Sequence, residues 1–113
     1  MEIMNKKEVV LYQSKTGAIE FKGDLKKDTI WATQAQIAEA FGVTPQNVTI
    51  HIKNIYKDKE LSQKATCKES LQVQKEGKRD IRRKVKEYNL DVIIAVGYRI
   101  NSVLGTKFRL WAT

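Results

Sequence analysis

A chain of 113 residues, 42% hydrophobic and 30% charged with one proline and six glycines, has the composition of a single folded domain and excludes a disordered tail or a second domain. Twenty-one Lys and Arg against thirteen Asp and Glu leave a net charge of +8, which attracts polyanions, nucleic acid above all. One cysteine (Cys67) rules out an internal disulfide and suits a reducing cytoplasm, one histidine (His51) rules out a His-rich metal site, and the longest apolar run, Val92 to Val96, is far short of the roughly 20 residues that span a bilayer.

The opening MEIMNKKEVV has no extended apolar segment after its lysines, so it does not read as a secretory signal. Extended-prone residues from Glu8 to Gln13, the turn SKTG and then AIEF from Ala18 to Phe21 predict two short strands, with a third at Thr29 to Ala32. GDLKKD between them is a polar loop.

Thr33 is placed to cap a helix that puts Ile37, Ala38 and Phe41 on one face and ends at Gly42. Thr44 caps a second helix with Pro45 at its first position, where the missing N–H costs nothing. On this helix Val48, Ile52, Ile55 and Tyr56 recur as one buried stripe. At about 100° per residue Gln46, Thr49, Ile50, Lys53, Asn54 and Lys57 point away from it, with Asn47 at its edge. No acidic residue interrupts that outward row. Gln and Asn can bond adenine bidentately in a major groove, Ile50 can meet a thymine methyl, and Thr44 with the N–H groups of the helix start suits a phosphate. His51, beside the apolar stripe, reads most simply as a packed or helix-bonded side chain.

Residues 62–75 alternate, with Ala65, Cys67, Leu71 and Val73 on the parity expected to be buried. Glu76 and Gly77 supply a turn, and Arg79 to Tyr88 would be the return strand. Ile81, Val85, Tyr88, Val92 and Ala95 also recur at helical spacing, which leaves open a single helix from Asp80 onward. Within residues 75–86 seven cations, Lys75, Lys78, Arg79, Arg82, Arg83, Lys84 and Lys86, stand against Glu76 and Asp80, so five of the eight net charges sit here. Alone, such a run is a solvated edge strand guarded by its charges. Directly after two helices with a polar outward row, it suits a wing lying along phosphates through Lys78, Arg79, Arg82, Arg83 and Lys84. Asn89 then caps a helix from Leu90 towards Arg99, and a last helix is expected near Thr106, with Phe108 and Trp111 packing against residues 90–96. The sequence ends at Thr113 without a helix-stop signal, as the N-terminal part of a longer protein would.

The spacing of Ile37, Ala38, Phe41, Gly42, Val43 and Val48 resembles the helix-turn-helix family. His51 departs from its simplest repressor pattern, and VTIHIKNI looks like the winged variant. DTIWATQAQIAEAFGVTPQNVTIHIKNIYKDKEL, YNLDVIIAVGYRINS and GTKFRLWAT, in this order, resemble the N-terminal region of the RhuM family of bacterial virulence-associated proteins, over roughly Tyr12 to Thr113. That resemblance implies a DNA-binding N-terminal module in proteins longer than this chain, some of them similar to proteins with a C-terminal Fic-type domain. INSVLGTKFRLWAT also looks like the final helix pair of phage antirepressor N-terminal domains, which points to mobile elements.

No glycine loop for phosphate, no nucleophile elbow, no metal-ligand cluster and no second histidine to serve Cys67 is present in the sequence, and neither catalysis nor a cofactor is expected. The expectation is an α+β, winged helix-turn-helix-like domain: strands over 8–32, the helix-turn-helix over 33–61, a basic wing hairpin over 62–88 and C-terminal helices over 89–113. Its function would be sequence-specific binding of double-stranded DNA in transcription regulation. The alternatives are a protein-interaction module of antirepressor type, meeting a partner protein or a second copy of itself, and an accessory domain to a missing C-terminal region.

Overall fold

A computed structural model describes residues 3–4, 7–14, 16–100 and 103–112. Lys15 of the expected SKTG turn, and Asn101, Ser102 and Thr113 of the C-terminal segments, lie outside them. Among the described residues the fold is mixed α+β, an antiparallel sheet and five helices. In chain order the elements are β1 (Ile3–Met4), β2 (Lys7–Ser14), β3 (Gly17–Asp24), β4 (Thr29–Thr33), α1 (Gln34–Phe41), α2 (Pro45–Lys57), α3 (Gln63–Thr66), β5 (Cys67–Glu76), β6 (Arg79–Asn89), α4 (Leu90–Ile100) and α5 (Val103–Ala112). The strands of the described residues lie in the order β1-β2-β3-β4-β6-β5, so β6 returns between β4 and its own hairpin partner.

Local chemistry fixes the two helices after β4. The Thr33 hydroxyl accepts from the Gln36 N–H at 3.2 Å while Gln36 Oε1 accepts from the Thr33 N–H at 3.0 Å, a reciprocal cap. Gln36 Nε2 also donates to the Glu20 carbonyl at 2.7 Å, tying this helix start to β3. Gly42 closes α1 in the left-handed region at φ 68°, as a helix stop requires. Thr44 Oγ1 then accepts from the Asn47 N–H at 3.1 Å, with Pro45 at the first position of α2.

One core fills the space between the sheet and the helices. Tyr12, Ile19, Phe21, Ile30 and Ala32 come up from the strands, and Ile37, Phe41, Val48, Ile52, Val92, Ile93 and Val96 come down from the helices. Phe108 is at its centre, edge-on to Tyr12, Phe41 and Phe21 at ring distances of 5.2, 5.3 and 6.1 Å.

Several expectations need correction. The strand expected from Ser62 begins only at Cys67, because the Thr66 hydroxyl turns back to the Ser62 carbonyl at 2.6 Å and closes one helical turn, α3. Leu71 and Val73, expected to be buried, are 61% and 60% exposed, since the hairpin runs past the helices and neither of its faces is covered there. The stretch from Asp80 is strand followed by helix, not one helix: Asn89 Oδ1 accepts from the Val92 N–H at 3.3 Å and α4 starts after it. The last helix starts at Val103, one turn before Thr106. Trp111 is 41% exposed and sets its ring edge-on to Tyr12 at 4.9 Å, outside the core proper. The strand β1 had no sequence signal.

Candidate nucleic-acid interface

The stripe on α2 is buried as its spacing requires: Val48, Ile52 and Ile55 keep at most 3% of their surface. The same helix therefore turns Gln46, Asn47, Ile50, Lys53, Asn54 and Lys57 to solvent, with Ile50 59% exposed and His51 half-buried at the margin. No acidic side chain lies in the first turn, so the partial positive charge of the helix start is uncancelled there. Beyond its far end stand Asp58 and Glu60, and Arg99 of α4 reaches both, at 3.3 and 3.4 Å. A polyanion along α2 thus meets amides, lysines and a helix start, while Asp58 and Glu60 past its far end are paired with Arg99.

Thr44 and Thr49 differ in what they have left to offer. Thr44 is exposed, and its oxygen caps the Asn47 N–H, which leaves its own proton to donate. Thr49 is half-buried, its hydroxyl 2.9 Å from the Pro45 carbonyl and 3.2 Å from Gln34 Oε1. Gln34 Nε2 in turn donates to the Tyr88 hydroxyl at 3.3 Å, so a polar chain runs from α2 through the start of α1 into β6. The physical role visible for Thr49 is that link.

Gly77, at φ 65°, and Lys78 form a two-residue loop closed by Glu76 and Arg79, the first of ten cross-strand pairs that run without interruption. Side chains alternate between faces along β6, and Tyr88 faces the core. Lys86, Lys84 and Arg82 therefore lie on the helix side of the hairpin and Arg83 and Arg79 on the other. Lys78, Arg79, Arg82, Arg83 and Lys84 are all exposed. Arg83 pairs with Glu76 at 3.1 Å with both side chains more than half exposed, an ion pair worth little in water.

Hairpin and helix pair meet in an open groove of about 470 Å³, lined by Gln34 and Ala35 at the start of α1, Pro45 at the start of α2, and Gln72, Lys84 and Lys86 from the hairpin. Of the residues singled out in the sequence, Lys84 is the one brought against the start of α2, while Arg79 and Arg83 are turned from it. Gln34, Gln72 and Lys86 were missed. Lys86 was legible, since it belongs to the basic run, but the two glutamines carry no local signal. Behind the sheet, Lys22 pairs at 3.2 Å with Glu87, whose side chain is 2% exposed, and Lys68 lies 4.3 Å over the Trp31 ring. Burial pushes the Cys67 thiol up, with Lys86 opposing in part, so this cysteine has none of the lowered pKa a nucleophile needs. No helix among the described residues is long and apolar enough to cross a membrane.

Residues 65–113 match the model of the Virulence protein RhuM family. The resemblance to that family is borne out over this stretch, which runs from the start of the hairpin to the last helix and leaves α1 and α2 outside. The likeness to phage antirepressor domains has no such support. No curated protein and no solved structure matches the chain.

Proposed function

We propose that this chain is a winged helix-turn-helix-like module that binds double-stranded DNA, with α2 presented to a major groove and the β5–β6 hairpin gripping the flanking backbone. The observation that carries the reading is the groove in which Lys84 and Lys86 of the hairpin stand level with Pro45 at the start of α2. One straight polyanion can touch both. The path supports it as well: β4, then α1, α2 and the single turn α3, then a hairpin whose second strand returns beside β4, as the wing of a winged helix does. In this arrangement Gln46, Asn47, Lys53 and Asn54 read or steer at base edges, Thr44 and the helix start hold a phosphate, and Arg82 and Lys84 neutralise the backbone.

The test is fluorescence anisotropy with a labelled random-sequence duplex, titrated across a salt series. Binding at low salt that weakens steeply as salt rises is expected, and Arg82→Ala or Lys84→Ala flattens the slope of log K against log salt by about 0.9 for each phosphate no longer neutralised. Arg83→Ala, whose side chain lies on the face of the hairpin turned from α2, changes it less. Absence of any binding at low salt overturns the proposal. The rival, a protein-interaction module, is favoured by Ile50 standing 59% exposed on the outward row. It predicts that partners captured from a host lysate survive nuclease treatment.

A further inference from the structure

β5 is the outermost strand of the sheet and pairs with β6 through ten consecutive positions, with no bulge and no proline. Its outer edge among the described residues is thus an uninterrupted row of backbone donors and acceptors, which sheets ordinarily shorten, kink or cover. On the helix side of β5, Leu71 and Val73 are 61% and 60% exposed.

The turn decides which backbone groups face outward. In a hairpin with a two-residue loop the closing pair, here Glu76 and Arg79, exchanges both of its hydrogen bonds. Alternating from there, Glu76, Gln74, Gln72, Ser70 and Lys68 bond to β6. The N–H and C=O of Lys75, Val73, Leu71 and Glu69 then point away from the sheet. An added antiparallel strand of the same sequence must therefore set odd-numbered residues against odd-numbered ones.

A two-fold axis through Gln72 does this and matches the side chains. Leu71 falls opposite the partner's Val73, Glu69 opposite the partner's Lys75, and Lys68 opposite the partner's Glu76. Shifting the axis to Leu71 sets Glu69 against the partner's Val73, and shifting it to Val73 sets Lys75 against the partner's Leu71. Only the register centred on Gln72 joins opposite charges and apolar pairs together.

We propose that the chain forms a symmetric dimer by antiparallel pairing of β5 with β5 of a second copy, centred on Gln72. The two exposed apolar pairs become one cluster of four side chains, flanked on each side by a Glu69–Lys75 ion pair. Lys68 and Glu76 contribute less, because Lys68 already lies over Trp31 and Glu76 already holds Arg83. The axis is perpendicular to the joined sheet, so both helical layers emerge on the same side and both α2 rows face one way. The dimer stands whether or not the chain binds DNA.

Sedimentation equilibrium of the nuclease-treated chain tests it. The mass is expected to rise from 13.0 kDa towards twice that value with concentration. Glu69→Lys or Lys75→Glu alone places like charges opposite each other at two symmetry-related positions and weakens association about tenfold. Both positions are exposed, so circular dichroism is expected to be unchanged. Mixed in equal amounts the two variants recover a heterodimer, since each altered charge then faces its opposite. A wild-type mass fixed at one chain up to about 1 mM, the weak end of specific association, overturns the proposal. So does a dimer that both reversals leave intact, or a mixture no more associated than either variant alone.

Discussion

Replacing Gly42 by alanine disturbs the turn between α1 and α2 in two separable ways. The residue sits at φ 68°, where a Cβ costs about 1 kcal/mol relative to glycine. That Cβ would also fall 2.6 Å from Leu104 Cδ1 of α5. Because the obstacle is the end of a flexible side chain, Leu104 can rotate aside, but an off-rotamer leucine costs about 0.5–1.5 kcal/mol. The sum is about 2 kcal/mol, which for a domain of this size lowers the melting temperature by about 8 °C. Gly77→Ala supplies the control, because φ is nearly the same, 65°, and nothing lies within 4 Å of the added methyl. It should cost only the conformational part. Urea unfolding followed by circular dichroism measures both, together with Gly42→Ala in a Leu104→Ala background, where the obstacle is gone and the cost of the alanine should fall to that seen at position 77. Equal costs at positions 42 and 77 in the wild-type background would show that Leu104 does not brace this turn, and the reasoning fails.

Gln46→Ala or Asn47→Ala should cost about 1–3 kcal/mol at one preferred sequence found by selection on random duplexes and leave non-specific binding unchanged; a uniform loss across sequences refutes base reading. Lys22→Ala strands the Glu87 carboxylate, whose Oε1 is buried without a hydrogen-bond partner among the described residues. The expected loss is about 1–3 kcal/mol in urea unfolding, below the range for a fully buried pair because Lys22 itself is half exposed. An unchanged midpoint sinks that account. At Asp24 the Trp31 indole donates to the carboxylate at 3.2 Å and, with smaller help from Lys27 and Lys68, holds its pKa below the ordinary 3.8. A lowered folded-state pKa adds stability that is complete above the ordinary value and lost as pH falls below it. Asp24→Asn should therefore lose that increment at neutral pH and flatten the acid end of the stability profile, so that the wild-type and variant curves converge below pH 3.8; curves that stay parallel there count against it.

The helix pair was legible because its signals are local. Thr33, Gly42, Thr44 and Pro45 act within one turn of where they stand, and the structure uses each of them as the sequence suggests. The hairpin was legible in existence and not in burial. Alternation says that Leu71 and Val73 share a face, but whether a helix covers that face depends on where α2 and α4 end in space, which no local pattern records. The start of α5 is expected near Thr106, one turn late, whereas Gly105 lies buried inside the helix. Long-range polar links were invisible for the same reason. Gln34, which lines the groove, meets Tyr88 across 54 residues, and Lys22 meets Glu87 from another strand behind the sheet, so both links could be seen only once the sheet order was known.

The family match begins at Ala65, yet the part it covers cannot be separated physically from the helix pair it leaves out. β6 is held between β4 and β5, so the strand that carries Arg82, Lys84 and Lys86 owes its position to the residues immediately before α1. Phe108 is fully buried against Phe41 of α1 and Phe21 of β3, and Leu104 fills the space beneath Gly42. Val92, Ile93 and Val96 are likewise fully buried in the core that α1 and α2 share. Substitutions in α5 are therefore felt at the angle between α1 and α2, and through that angle at the outward row of α2. Interiors packed to crystal-like density shift as units and do not deform one residue at a time, so selection on residues 65–113 for stability also constrains the surface offered by residues 44–57.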